Sequence, residues 1–174
     1  RELTQVVETA IAAIPPIEQR IVELTTVQEQ QKTEVANAEA TVAAAKVVMT
    51  ENEKLVATAQ TEQTSKQEKG KAVGDTLAAA QVALEKIPGD AVLTETVGKL
   101  KTLTDQINQE IDTATKLVAA RQTELKTAQE AVATAEQTLS GIQKTLEQTV
   151  GQITATQLQL GEANELVNTQ RTAL

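Results

Sequence analysis

The chain has 174 residues, a net charge of −8, and no Cys, His, Phe, Tyr or Trp. Without imidazole or thiol it lacks the usual zinc ligands and the common nucleophile–base pairs, so no catalytic residue, metal site, cofactor or small-molecule substrate is expected. The acidic balance argues against nucleic acid and anionic membrane surfaces as partners, and no stretch approaches the ~18 apolar residues of a membrane span.

A globular core of this length normally uses aromatics, because each buries a large area. Their absence, beside abundant Ala, Thr, Gln, Glu, Leu and Val, fits a thin helical assembly instead. In the first arm, strictly alternating steps of four and three run from Leu3 through Val7, Ala10, Ile14, Ile17, Ile21 and Leu24 to Ile87. Nineteen of these 25 positions are apolar, the signature of a heptad seam. Pro15-Pro16 interrupts a short leading helix from Glu2 to about Ala13, since each proline disfavours helix in the residue before it. The heptad phase is nevertheless kept, which predicts a kink at 15–16 and not a loop, with helix resuming at Pro16. The polar stretch from Thr61 to Lys71, followed by Gly74, is the weakest part of this arm. Unbroken phase through Gly70, Val73 and Leu77 predicts continuous helix there as well.

Pro88-Gly89-Asp90 supplies a helix stop, a turn and a new N-cap in succession. The second arm, 91–173, has no proline, and its ladder runs from Leu93 through Val97 and Leu100 to Leu174 with nineteen of 24 positions apolar. Gly98, Gly141, Gly151 and Gly161 lie off the ladder and soften the helix without breaking it. The step from Ile87 to Leu93 is the one place where the heptad fails. The expected fold is therefore all-α, a single long antiparallel coiled-coil hairpin over 1–174, with arms 2–87 and 91–173 each on the order of 120 Å long.

Folding at the turn pairs residues whose numbers sum to about 180, with small residues meeting large ones as interdigitating knobs require. Gly70 then faces Ile111, Ala80 faces Leu100, Ala38 faces Ile142 and Ile17 faces Ala163. Some layers are polar. Gln28 and Gln31 fall near Ile153 and Thr149, Asn52 lies further along, and Lys66 and Arg121 face Ala114 and Ala59. Gln28, Gln31 and Asn52 act either as a register device or hinge, or as side chains that reach out to water, the simpler reading; Lys66 and Arg121, each facing an alanine, have room to reach water, with a binding role as the alternative.

The two flanks of the seam differ. With Val7 as a, the e positions are nearly all polar, whereas g positions include Val6, Val27, Val48, Leu55, Leu103, Leu117 and Leu166. A two-helix seam wants charge on both flanks, so this broadened face points to lateral burial. Either two hairpins pair into a four-helix bundle, or the hairpin lies against a flanking domain, or the g residues merely widen the two-helix contact.

The segment Ala83-Leu84-Glu85-Lys86-Ile87-Pro88-Gly89-Asp90-Ala91-Val92-Leu93, followed by Lys99-Leu100-Lys101, resembles coiled-coil inserts in large bacterial proteins that join a cytochrome c-like domain to WD40 β-propellers. Neither a CxxCH haem motif nor a WD repeat occurs here, and no functional residue carries over. The resemblance implies a projecting insert whose two ends sit close together on a propeller. The chain opens on Arg1, in keeping with a segment of a longer protein.

Two functions compete at this point. One is a structural spacer or projecting arm that mediates assembly by self-association or against flanking domains. The other is a regulatory arm that recognises a protein partner through its tip, Lys86 to Val92, or through the Gln28 and Gln31 layers.

Overall fold

The computed structural model describes the backbone of residues 2–172 and the side chains of residues 4–172. The ladder residue Leu174, and the end of the second arm at 173, lie outside the described residues. Two helices account for the fold: α1, Glu2–Lys86, and α2, Ala91–Thr172. No strand occurs among the described residues, and the chain is an all-α helical hairpin.

Burial follows the heptad ladders. On α2, ladder positions from Leu93 to Gln170 are buried or half-buried, while every position between them is exposed. On α1 the same holds of ladder positions from Val7 to Leu84, with Ala13, Gly74, Gln81 and Ala83 as additional half-buried residues. Alternating steps of four and three keep one stripe of a 3.6-residue helix facing its partner, which is why this spacing is sheltered and its flanks are not.

The first helix passes through Pro15 and Pro16 as one element, with no loop between its two parts. Proline has no N–H, so the carbonyls of Ile11 and Ala12 lack their usual donors four residues on. Helix also runs unbroken through Thr61 to Lys71. At the far end α1 stops at Lys86. Ile87, the expected last residue of the first ladder, lies in the turn and is 57% exposed.

The chain forms two compact units, each drawing on both arms: Arg1–Ala44 with Ala133–Leu174, and Ala45–Val132. In the first, Ala10, Leu24, Val42 and Ile153 form the buried apolar residues, joined by Gln31 and Thr149. In the second they are Val56, Ala59, Val97, Ile107, Ala114, Val118, Ala128 and Val132. Ile107 is the most enclosed large side chain, at 2% exposure. Gly70 makes this possible: a methyl group there would stand 2.9 Å from Ile111 Cδ1 and 3.1 Å from Ile107 Cγ2. Close approach of the two backbones at this layer depends on glycine having no side chain.

Candidate functional site: the turn, the polar layers and the exposed flank

At the turn, Gly89 has φ of +93°, in the left-handed region that L side chains rarely adopt and that commonly ends a helix. The Ile87 N–H bonds the Ala83 carbonyl at 3.1 Å and closes the last turn of α1. Asp90 then caps α2: its Oδ1 accepts from the Leu93 N–H at 2.9 Å, while its carbonyl accepts from the Thr94 N–H at 3.0 Å. A carboxylate here satisfies one orphan donor and complements the positive end of the helix dipole. Proline before it offers no N–H to continue α1, so reversal takes only Ile87 to Asp90. The sides of this turn hold exposed apolar groups, with Val92 at 73% exposure.

The polar ladder residues behave differently from one another. Asn52 turns its amide back to the Val48 carbonyl at 3.0 Å and is absorbed by its own helix. Arg121 likewise pairs with Glu124 at 2.7 Å, one turn along α2. Lys66 crosses to the other arm, with Nζ 3.8 Å from a carboxylate oxygen of Glu110. Three residues away Gln63 donates from Nε2 to Thr115 Oγ1 at 2.9 Å, and that hydroxyl donates in turn to the Ile111 carbonyl at 2.8 Å. These two cross-arm contacts lie beside the Gly70 layer and hold the same register. The numbers of each pair sum to within a few of 180, in keeping with the register set by the turn.

Gln28 is half-buried, but Gln31 is only 9% exposed, and its Oε1 has no hydrogen-bond partner within the protein. Thr149, which falls opposite in the same register, is buried at 6% and donates its hydroxyl to the Thr145 carbonyl at 3.1 Å. Gln31 therefore does not reach out to water with its carbonyl, contrary to the simpler sequence reading. A buried amide oxygen left unpaired costs roughly 1–3 kcal/mol.

The apolar g residues remain uncovered: Val6 45%, Val27 39%, Val48 50%, Leu55 43%, Leu103 37%, Leu117 40% and Leu166 40% exposed. In an antiparallel pair the g flanks of both arms fall on the same side of the seam. The first unit displays this directly, in an open groove of about 700 Å³. Its floor is Ala10, Ala13 and Ala163, its walls include Val6 and Leu166, and Gln5, Thr9, Gln159 and Glu162 complete the rim. Such an arrangement offers shape and apolar surface but no clustered reactive groups. Among the described residues no three His, Cys, Asp or Glu side chains are placed to hold a metal, and no helix is long and apolar enough to cross a membrane. No protein-family model and no curated protein matches this sequence.

Proposed function

We propose that this chain is a non-enzymatic structural arm, an antiparallel coiled coil that spaces or projects parts of a larger protein and mediates their assembly. The observation that carries this reading is the burial pattern of α2: the sheltered positions are those of the heptad ladder and no others. Burial of that kind is spent on pairing two helices, leaving the remaining faces free for contacts along the arm. The same reading accommodates an insert of the cytochrome c and WD40 kind, with both arms running back from a short turn.

A second reading, a recognition arm, is favoured by the apolar tip, where Ile87 and Val92 are 57% and 73% exposed. The two separate when a photo-crosslinking amino acid is placed at Val92 in the parent protein and the adducts are identified in its own cells. A spacer gives no specific adduct, and Ile87→Ser with Val92→Ser leaves assembly intact. A single dominant partner crosslinked at the tip, lost with those substitutions, overturns the spacer reading in favour of recognition.

A further inference from the structure

We infer that the first unit opens on its own: its two arms part cooperatively while the arms of the second unit stay paired. Neither the spacer nor the recognition reading requires this motion, and both stand or fall without it.

The two units are of nearly equal length, so their seams can be compared directly. Among the described residues the first buries four apolar side chains, Ala10, Leu24, Val42 and Ile153, whereas the second buries eight, Ile107 among them. Each further large side chain taken out of water shifts an opening equilibrium by about tenfold or more. The second unit is closed more tightly on that ground alone.

Polar seam residues separate the units again. In the second, Asn52, Lys66 and Arg121 all have partners, and both Lys66 and Gln63 reach across to the other arm. In the first, Oε1 of Gln31 and Oε1 of Gln170 are buried without a hydrogen-bond partner within the protein. Water bonds both oxygens once the arms part, so the unmade bonds weigh against the closed state and not against the open one.

Cooperativity follows from helix physics. Most of a helix's stability in a protein comes from packing of its apolar stripe, and parting the arms removes that packing. Pro15 and Pro16 weaken α1 further in this unit, because the carbonyls of Ile11 and Ala12 lack donors. Loss of one layer therefore loosens the layers beside it, and the unit gives way as a block. Opening bares Leu24, Val42 and Ile153, an apolar stripe that the closed form hides. Anything that binds the bared stripe holds the open state by mass action, which makes this unit a conditional surface.

The test is native-state hydrogen exchange of the full chain, read by mass spectrometry of its peptides at rising sub-denaturing urea, with circular dichroism on each variant. The expected result is a step. Peptides within 17–43 and 134–160 share one opening, with protection at least about tenfold below that of peptides within 53–84 and 97–130. Ile107→Val lowers protection in the second unit by about two- to tenfold and leaves the first within about twofold. Gln31→Leu raises protection in the first unit by about fivefold or more. Equal protection in both units overturns the proposal, as does equal loss in both with Ile107→Val, since either means that the hairpin opens all at once. Protection that declines smoothly from the turn towards the chain ends means simple fraying and overturns it too. So does a Gln31→Leu chain whose first unit exchanges as fast as the parent's.

Discussion

Replacing Gly70 with alanine sets two effects of known size against each other in the second unit. Alanine is better than glycine in a helix interior by about 1 kcal/mol. The new methyl group, however, would lie 2.9 Å from Ile111 Cδ1 and 3.1 Å from Ile107 Cγ2, where carbon atoms prefer 3.5–4.0 Å. Ile111 can yield, because Cδ1 is the free end of its side chain. Ile107 cannot do so readily: Cγ2 sits on a branched Cβ, and the residue is 2% exposed. Overpacking of this kind costs about 1–3 kcal/mol, so the net effect of Gly70→Ala is a loss of roughly 0–2 kcal/mol. Gly98, in the same unit, has no atom within 4 Å of the position a Cβ would take. Gly98→Ala should therefore keep the whole helix gain of about 1 kcal/mol.

The two alanines should differ by about 1–3 kcal/mol, or about 2–4 °C in Tm for each kcal/mol in a chain of this size. Thermal and urea unfolding followed by far-ultraviolet circular dichroism will resolve that. Ile111→Val removes the nearer clash and alone should cost about 0.5–1.5 kcal/mol. Combined with Gly70→Ala it should be less damaging than the sum of the two single changes. If Gly70→Ala stabilises the chain as much as Gly98→Ala does, the arms do not meet at Ile107 and Ile111 as described, and the register argument fails with it.

Other perturbations follow from the same geometry. Asp90→Ala deletes the acceptor for the Leu93 N–H and should lower stability by about 1 kcal/mol in urea unfolding, while Asp90→Asn should cost much less. Gln31→Leu removes a buried oxygen that has no partner, so the unfolding midpoint should rise by an amount equivalent to roughly 1–3 kcal/mol; a fall would mean that the amide is satisfied after all. Lys66→Ala and Glu110→Ala, at side-chain exposures of 36% and 51%, should couple by less than about 1 kcal/mol in a double-mutant cycle, and by still less in high salt.

The ladders and the turn were legible because their physics is local. A heptad repeat defines one stripe of a helix, and Pro-Gly-Asp ends one helix and caps the next within three residues. Pairing by addition also placed Gly70 opposite Ile111, because a short turn leaves the register little freedom. Depth within the seam was less legible. Gln28 and Gln31 occupy successive ladder positions, a and d, yet Gln31 is buried and Gln28 only half so, a difference that the apolar-or-polar pattern alone does not encode. The ladder alone sends Lys66 to water past Ala114, whereas its Nζ lies 3.8 Å from Glu110, a flank residue outside the ladder. Unbroken heptad phase across Pro15-Pro16 argues against a loop there, and α1 indeed continues through both prolines, because a long helix that is already propagated and packed tolerates two missing hydrogen bonds. The groove of the first unit was half visible. Val6 and Leu166 stood out as apolar flank residues, while Ala13, equally part of the lining, is too small to draw attention in a sequence rich in alanine.

Threonine is plentiful here, with 27 in the chain, and it helps to bring the mean hydropathy down to −0.24. That figure overstates how wet the surface is. Along both helices the threonine hydroxyls donate back to the carbonyl four residues earlier, as at Thr25, Thr41, Thr58, Thr102, Thr123, Thr138 and Thr154, at 2.7 to 3.2 Å. Each such bond ties down χ1 and takes the hydroxyl proton out of circulation. The oxygen can still accept, but the group that remains unoccupied is a methyl. Anything that approaches these faces meets methyl groups on a stiff backbone, already rid of most of their rotational freedom and with few protons to offer a hydrogen-bonding neighbour.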